Sequence, residues 1–222
     1  MKLCVAIGDI HGMAEKLRRL LAQVDEWLAS SGGAWSVQFV FLGDYIDRGP
    51  DSQWVIGQVR AMQQGGAICL RGNHEQMMID STESEIELQR FLRNGGESTI
   101  ESLGSAALFK EAQGWMKTLP TFYEDALRYY VHAGVRPRIP LDRQDNETRL
   151  WIREEFLAFR GPFPKYVVHG HTPTIATNPD QAVPDIHDNR CNVDTGAGWG
   201  RALSAAIFDD RRARPIHTIS TF

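Results

Sequence analysis

The chain has 222 residues, of which 42% are hydrophobic and 23% charged, and its formal net charge is −4. This length and balance are sufficient for a full hydrophobic core and exclude an intrinsically disordered chain. The slightly acidic balance argues against general nucleic-acid or anionic-membrane binding, because such proteins usually present a basic face. A phosphate-bearing substrate would therefore have to be attracted locally, by metal ions or a few arginines.

The first third of the chain alternates apolar runs with segments of helical spacing. The predicted strands are 3–7, 37–42 and 67–70, and the predicted helices are 13–29 and 52–62. Strand, helix, strand, helix, strand in this order predicts a βαβαβ unit with a mainly parallel sheet. Ligands bind at the carboxyl ends of the strands in such sheets.

A different pattern covers residues 83–119, which are mostly helix-compatible but interrupted at Gly104 and at Asn94-Gly95-Gly96. We interpret this segment as a helical excursion from the sheet that forms a partial lid. The Asn-Gly-Gly sequence either ends a helix or forms a backbone nest near the substrate.

The second half returns to strands and longer loops. Strands are predicted at 122–123, 128–132, 166–168, 191–193, 203–208 and 215–219, with a helix at 147–159. No repeat or low-complexity linker divides the sequence. We therefore expect a single domain over residues 1–222.

The three cysteines, Cys4, Cys69 and Cys191, include no Cys-x-x-Cys pair. Buried, reduced thiols are expected rather than a thiolate zinc site. The apolar N-terminal run is too short for a signal peptide, and no run reaches membrane-spanning length. These features predict a cytoplasmic protein without a membrane or nucleic-acid partner.

Five short glycine-flanked clusters carry residue types that bind metals, and several directly follow a predicted strand. They lie at 8–12, 43–49, 72–75, 132–134 and 170–172. Their carboxylate, amide and imidazole groups belong to Asp9, His11, Asp44, Asn73, His132 and His171. One such cluster alone is commonly a turn, an asparagine cap or a packed histidine. Five in order favour a metal site assembled across a sheet.

The ligand set indicates which ions fit. Asp44 could share its two oxygens between two cations roughly 3.5–4 Å apart. Two dications balanced only by Asp9 and Asp44 would leave a net positive centre, which suits a phosphate. Nitrogen and oxygen ligands without sulfur favour manganese, iron or zinc over calcium or magnesium.

Neighbouring residues add the means to cleave a phosphate ester. Arg48 offers a planar fork that matches phosphate oxygens. His74 follows Asn73 and cannot bind the same metal from the same direction, so it suits the role of general acid. Asp47 could orient that imidazole and raise its basicity.

The remaining histidines are less informative. His169 lies two residues before His171, so it could be a ligand or a group behind one. His187 and His217 lie in polar, strand-like stretches and are expected at the surface.

Together the clusters Gly-Asp-Ile-His-Gly, Gly-Asp-Tyr-Ile-Asp-Arg-Gly, Gly-Asn-His-Glu, His-Ala-Gly and Gly-His-Thr-Pro resemble the calcineurin-like metallophosphoesterases. The sequence is most similar to their bacterial and phage serine/threonine phosphoprotein phosphatases. The similarity extends to 71–80, 94–96, 151–154 and 194–197, and so spans nearly the whole chain. It implies an α/β fold, a four-layer α/β/β/α sandwich of mixed sheets flanked by helices, with two metals at one edge.

The resemblance also implies a role for each matching residue. The first metal would be held by Asp9, His11 and Asp44. The second would be held by Asp44, Asn73, His132 and His171. The catalytic residues would be His74, Asp47, Arg48 and Arg153, with phosphate bound by Arg48, Arg153 and Asn73. Arg153 is implied by the resemblance alone, because on its predicted helix it has the pattern of a solvated charge.

One position departs from the wider superfamily. Many members have a second histidine two residues after the Gly-His pair, and this chain has Pro173 there. The phosphoprotein-phosphatase branch also lacks that histidine. We expect the first metal to have fewer protein ligands and to bind more weakly.

The predicted function is metal-dependent hydrolysis of phosphomonoesters by a monomeric protein serine/threonine phosphatase, with broader phosphatase activity on small phosphoesters. Two divalent ions are expected, in the first place Mn²⁺, with iron or zinc as alternatives. The alternative function is that of a symmetrical dinucleoside tetraphosphatase, a pyrophosphohydrolase on a similar scaffold. That relative tends to lack the acid at Asp47 and to carry aspartate at Glu75, so these two residues favour the phosphatase. A silent binder of phosphorylated partners would lack ligands or the acid, and this chain has both.

Overall fold

The computed structural model describes residues 2–176 and 182–222, and within them two five-stranded sheets. The strands are β1 (Lys2–Ile7), β2 (Ser36–Phe41), β3 (Ile68–Cys69), β4 (Phe122–Glu124), β5 (Arg128–Val131), β6 (Tyr166–His169), β7 (Asp185–Ile186), β8 (Arg190–Asn192), β9 (Leu203–Asp209) and β10 (His217–Thr221). The first sheet has the order β10-β9-β1-β2-β3 and the second β4-β5-β6-β8-β7.

Helices connect the strands and cover the sheets. They are α1 (Ala14–Ser30), α2 (Ser52–Gln64), α3 (Asn73–Asp80), α4 (Glu85–Phe91), α5 (Glu97–Leu103), α6 (Ala106–Lys117), α7 (Asn146–Trp151) and α8 (Glu154–Leu157). A kinked turn, Leu92–Gly96, joins α4 to α5, and a short 3₁₀ turn covers Ala197–Trp199.

The strand pairings confirm the parallel unit predicted for the first third of the chain. β1 pairs in parallel with β2, and β2 in parallel with β3, while β9 is antiparallel to β1. In the second sheet β5, β6 and β8 run parallel and the edge strands β4 and β7 are antiparallel. Both sheets are therefore mixed.

The apolar core has three layers, which explains why β1 is apolar throughout. Side chains alternate between the faces of a strand. Leu3, Val5 and Ile7 belong to the core shared with the helices, whereas Cys4 and Ala6 belong to the core shared with the second sheet. A third core covers the outer face of the second sheet and contains Tyr129, Val131, Val135, Phe156 and Val167. The predicted four-layer α/β/β/α sandwich is confirmed.

The prediction of a single helix over 147–159 is wrong, because the structure has two short helices there. α7 ends before Ile152, whose backbone is extended (φ −59°, ψ 141°), and Arg153 (φ −132°, ψ −95°) precedes α8. The Arg153 carbonyl accepts hydrogen bonds from the amides of Phe156 and Leu157. Phe156 is thereby packed, fully buried, in the third core. Tertiary packing overrides the helical spacing of this segment.

The sequence prediction also missed β7, a two-residue strand too short to produce a periodic pattern. Of the two interpretations of Asn94-Gly95-Gly96, the helix end agrees with the structure, because the helical path is kinked at Gly95 between α4 and α5. These residues lie in the kinked turn, where Gly95 has a positive φ of 101°.

The cysteines meet their prediction, since all three are buried and free. Within the described ranges, every helix is too short or too polar to cross a lipid bilayer.

Candidate metal centre and active site

Backbone strain is concentrated just beyond the ends of the strands. Six non-glycine residues in the described part of the chain have a positive φ, a conformation that costs roughly 1–3 kcal/mol each. Five of them are predicted site residues: His11, Asp44, Asp47, Arg48 and His171. The surrounding sheet and loops must offset this cost, so the conformations of these residues are imposed by the fold.

Asp44 lies at the centre of the site. Its carboxylate belongs to two groups of side chains whose ligand atoms lie within 4.8 Å of one another, one with His11 and His74 and one with His132 and His171. Burial alone would raise the pKa of Asp44, but the surrounding imidazoles outweigh it, and the net pKa is below the ordinary value. A carboxylate common to both groups has the position required of a bridging ligand.

The second group contains an imidazole lone pair that points at an amide oxygen. His132 Nδ1 donates to the Leu42 carbonyl at 2.9 Å, which leaves Nε2 as an acceptor facing Asn73 Oδ1 at 2.8 Å. His171 Nδ1 lies 2.9 Å from the same Asn73 oxygen. Burial lowers the pKa of both histidines, which favours their neutral forms. A cation among these atoms would turn the repulsion into ligation, so the residues fit a metal.

The first group has a similar arrangement. His11 Nδ1 donates to the Ile46 carbonyl at 2.9 Å, and Nε2 lies 3.6 Å from Asp44 Oδ2. Fixing the Nδ1 proton in this way leaves a lone pair on Nε2 that suits a metal. Arg48 Nη1 lies 2.7 Å from this nitrogen and would have to withdraw from it for a metal to bind. Burial lowers the pKa of His11 well below its ordinary value, so this nitrogen keeps its lone pair.

Asp9, predicted to bind the first metal, lies beside these groups rather than within them. Its Oδ2 accepts from the His171 amide at 3.0 Å, and its Oδ1 is buried without a hydrogen-bond partner. Burial, then the Asp194 and Asp44 carboxylates, raise the pKa of Asp9. Burial raises the pKa of Asp194 to about 6. Three crowded carboxylates and an unpartnered oxygen again fit a cation. Asp194 occurs in one of the similar segments, but nothing in its spacing marked it as a site residue.

The two residues that are predicted to form an acid pair lie in contact. His74 Nδ1 lies 2.6 Å from Asp47 Oδ2, and both side chains are buried. Burial by itself lowers the pKa of His74, but Asp44 and Asp47 raise it by more, so the net pKa is above its ordinary value. Both carboxylates therefore favour the protonated form of His74.

Thr99 forms hydrogen bonds with Asp47 and was missed by the sequence prediction. Its hydroxyl donates to Asp47 Oδ1 at 2.6 Å and accepts from the Asp47 amide at 2.9 Å. The residue is fully buried in α5, within the predicted helical excursion. A threonine on a helix has no signature that links it to a distant carboxylate.

Arg48 faces the first group. Its Nη1 lies 2.7 Å from His11 Nε2, and its Nη2 lies 3.0 Å from His74 Nε2. Arg48 also lines a cavity of about 390 Å³. Arg153, the residue implied by resemblance alone, lines this cavity too. The break between α7 and α8 brings Arg153 there, so two guanidinium groups border the proposed ligands.

Glu75 holds the loop that carries Asp44. Its carboxylate accepts from the amides of Asp44, Tyr45 and Gly72, each at 2.8 Å. Burial, reinforced by the Asp44 charge, raises the pKa of Glu75 to about 7. From the sequence alone, Glu75 served only to favour a phosphatase over a dinucleoside tetraphosphatase.

The structure separates the other histidines from the site. His169 lies outside both metal-binding groups, packs edge-on against Phe156, and has a pKa lowered by burial to about 3. His187 is half-buried beside Asp185, whereas His217 is exposed.

Comparison with known proteins agrees with this geometry. The family model of the calcineurin-like phosphoesterases matches residues 4–196. Serine/threonine-protein phosphatase 1 of Salmonella typhimurium is 30% identical over 90% of this chain and 89% of that protein. The asymmetrical bis(5'-nucleosyl)-tetraphosphatase PrpE of Oceanobacillus iheyensis is 28% identical over 92% of this chain and 88% of that protein. A cold-active protein-tyrosine phosphatase of a Shewanella species has the same fold, with a TM-score of 0.61 at 18% identity over 96% of this chain and 76% of that one.

Proposed function

The chain belongs to the calcineurin-like phosphoesterases, a family of metal-dependent hydrolases, and from this premise we propose that it hydrolyses phosphomonoesters of alcohols. Phosphoserine and phosphothreonine in proteins are the proposed principal substrates, with small phosphoesters as further ones. The observation that carries the proposal is the hydrogen-bonded chain Thr99–Asp47–His74 beside Arg48.

This chain of hydrogen bonds suits one kind of leaving group. An alkoxide released from a phosphoserine is strongly basic and needs a proton as the ester bond breaks. A phosphate released from a polyphosphate is a much better leaving group and needs little protonation. A histidine whose pKa is raised by two carboxylates is therefore most useful to an enzyme that cleaves alkyl phosphate esters.

The proposed metal ligands are the six strand-end residues. Asp9, His11 and Asp44 would hold one divalent ion, and Asp44, Asn73, His132 and His171 a second. Such ions supply positive charge at the phosphate and lower the pKa of a water molecule. We propose Mn²⁺, because nitrogen and oxygen ligands without sulfur suit manganese, iron or zinc.

The other residues act on the phosphate and the leaving oxygen. Arg48 and Arg153 would bind the phosphate oxygens through their guanidinium groups, with Asn73 beside them. His74 would donate the proton on Nε2 to the leaving oxygen while Asp47 accepts the hydrogen bond from Nδ1. Hydrolysis would proceed without a phosphorylated serine or cysteine, since no such nucleophile motif occurs in the sequence.

A dinucleoside tetraphosphatase is the second candidate, because relatives of that name match this chain at similar identity. The deciding experiment compares a phosphoserine peptide, 4-nitrophenyl phosphate and diadenosine tetraphosphate with the Mn²⁺-loaded protein. We expect kcat/KM to be highest for the phosphopeptide. Faster release of nucleotide from diadenosine tetraphosphate would replace the phosphatase proposal with the second candidate.

The role of His74 is tested by His74→Asn on the two esters. Turnover of the phosphopeptide should fall roughly 10²–10⁴-fold, the share of a general acid. The loss should be much smaller with 4-nitrophenyl phosphate, whose leaving group is already a weak base. The exposed His217→Asn provides the control and should leave both rates unchanged. Equal losses on both esters would remove His74 from the acid role.

A further inference from the structure

Trp199 has an unusual position for a tryptophan. Its side chain is 60% exposed at the edge of the cavity, although large aromatic residues are mostly well buried. One face of the ring is nevertheless covered, because the Arg48 guanidinium carbon lies 4.6 Å from the ring centroid. A guanidinium that stacks on an aromatic face gains a cation–π interaction and a fixed plane.

The turn that presents Trp199 is fixed by its backbone. Gly196 and Gly200, on either side, have positive φ values of 85° and 77°. Gly198 lies against a predicted metal ligand, since a Cβ at this position would lie 2.7 Å from His11 Cδ2. The Trp199 amide donates to the Gly196 carbonyl at 2.9 Å. The ring is therefore attached to a tight turn that is packed on the site itself.

A second turn, which contains Gly95, contacts the backbone and the base of the side chain of Arg48. The Gly95 carbonyl accepts from the Arg48 amide at 3.2 Å. A Cβ on Gly95 would lie 2.9 Å from Arg48 N and 3.0 Å from Arg48 Cγ, so only glycine fits. Gly95 lies at the kink between α4 and α5, and its positive φ of 101° also favours glycine.

We propose that Trp199 is a positioning residue that holds the Arg48 guanidinium in the plane required by the substrate phosphate, while Gly95 fixes the arginine's backbone and stem. Two glycine-containing turns, distant in sequence, thus border one long side chain, whose terminal nitrogens contact His11 Nε2 and His74 Nε2 in this structure. This inference rests on the proposed phosphate-binding role of Arg48. It assigns a purpose to the exposed tryptophan and to the Asn94-Gly95-Gly96 segment.

The test is a double-mutant cycle on the Mn²⁺-loaded protein with inorganic phosphate as the probe. Its inhibition constant is measured with 4-nitrophenyl phosphate for the wild type, Trp199→Ala, Arg48→Ala and the double variant. Trp199→Ala should weaken phosphate binding by roughly 3- to 30-fold, the range of a cation–π contact. In the Arg48→Ala background the same change should have no further effect. Trp199→Phe, which keeps an aromatic face, should recover most of the affinity.

The outcomes separate this inference from the proposed function. If Arg48→Ala weakens phosphate binding and Trp199→Ala does not, the positioning role is refuted while the role of Arg48 stands. A further loss from Trp199→Ala in the Arg48→Ala background would also refute it, because Trp199 would then act on the ligand directly. If Arg48→Ala itself has no effect, the phosphate-binding role of Arg48 fails, and the inference with it.

A purely structural effect of the tryptophan is tested separately. Mn²⁺ affinity, measured by calorimetry, should be the same in Trp199→Ala as in the wild type. Trp27→Ala removes a half-buried tryptophan that stacks on His217, and it should leave phosphate inhibition unchanged. Weakened Mn²⁺ binding in Trp199→Ala would mean that the turn supports His11 rather than Arg48, and would overturn the proposal.

Discussion

The strand-end edge and the helical segment from α4 to α6 contribute different things to the same site. The edge supplies the proposed metal ligands, three of which, His11, Asp44 and His171, have strained backbone conformations. The helical segment supplies no proposed ligand, but Thr99 contacts Asp47 and Gly95 contacts Arg48. The edge thus provides the proposed metal ligands, and the helical segment contacts the residues that are proposed to act on the substrate.

The role of the strand-end edge is tested by replacing Asp44, the ligand that is proposed to be common to both ions. Asp44→Asn should weaken both proposed ions together and reduce turnover by on the order of 10³-fold or more, since such ions contribute several kcal/mol to a transition state. Calorimetric titration with Mn²⁺ measures both affinities, and Asp25→Asn on the exposed face of α1 is the control. Loss of only one ion would contradict the bridging position of Asp44.

Asp47→Asn should affect the acid and leave the metals in place. Because Asp47 raises the pKa of His74, its loss should lower that pKa. A general acid acts only when protonated, so the alkaline limb of the kcat profile should move to lower pH. Turnover near neutral pH should fall by about 10- to 100-fold, as is typical when the partner of a functional histidine is lost. An alkaline limb at the wild-type pH would show that another group acts as the acid.

Thr99→Val tests the role of the helical segment from α4 to α6. Of the three substitutions, it should have the smallest effect. The change keeps the side-chain shape but leaves Asp47 Oδ1 without its donor, which should lower the free energy of unfolding by about 1–3 kcal/mol. The alkaline limb of kcat should shift slightly, and Mn²⁺ affinity should not change. Urea unfolding measures the stability, with Thr118→Val at the exposed end of α6 as the control. Unchanged stability and kcat would mean that the helical segment does not support the acid.

Prediction from the sequence was correct where a residue type or a hydrophobic period carries the information. Apolar runs located β1, β2 and β3, and the parallel pairing follows from the helices between them. It failed over 147–159, because helical spacing says nothing about the turn that buries Phe156. The same turn moves Arg153 from a predicted solvated helix face to the edge of the cavity.

The residues of the proposed site also divide into those that the sequence identified and those that it did not. Carboxylate, imidazole and guanidinium groups have few uses in glycine-flanked turns after strands, so Asp9, Asp44 and His74 were identifiable from the sequence. Thr99 was not, because a hydroxyl on a helix has many uses. It lies 52 positions from its partner Asp47.

The sequence by itself determined the layered α/β fold, the family and the residue types that converge at one edge. These depend on local hydrophobic periodicity and on functional groups placed directly after strands. Only the tertiary structure decided which residues hold those groups in position, including Thr99, Gly95 and Trp199. Contacts between segments far apart in the chain depend on how sheets and helices pack, and local sequence patterns do not encode that packing.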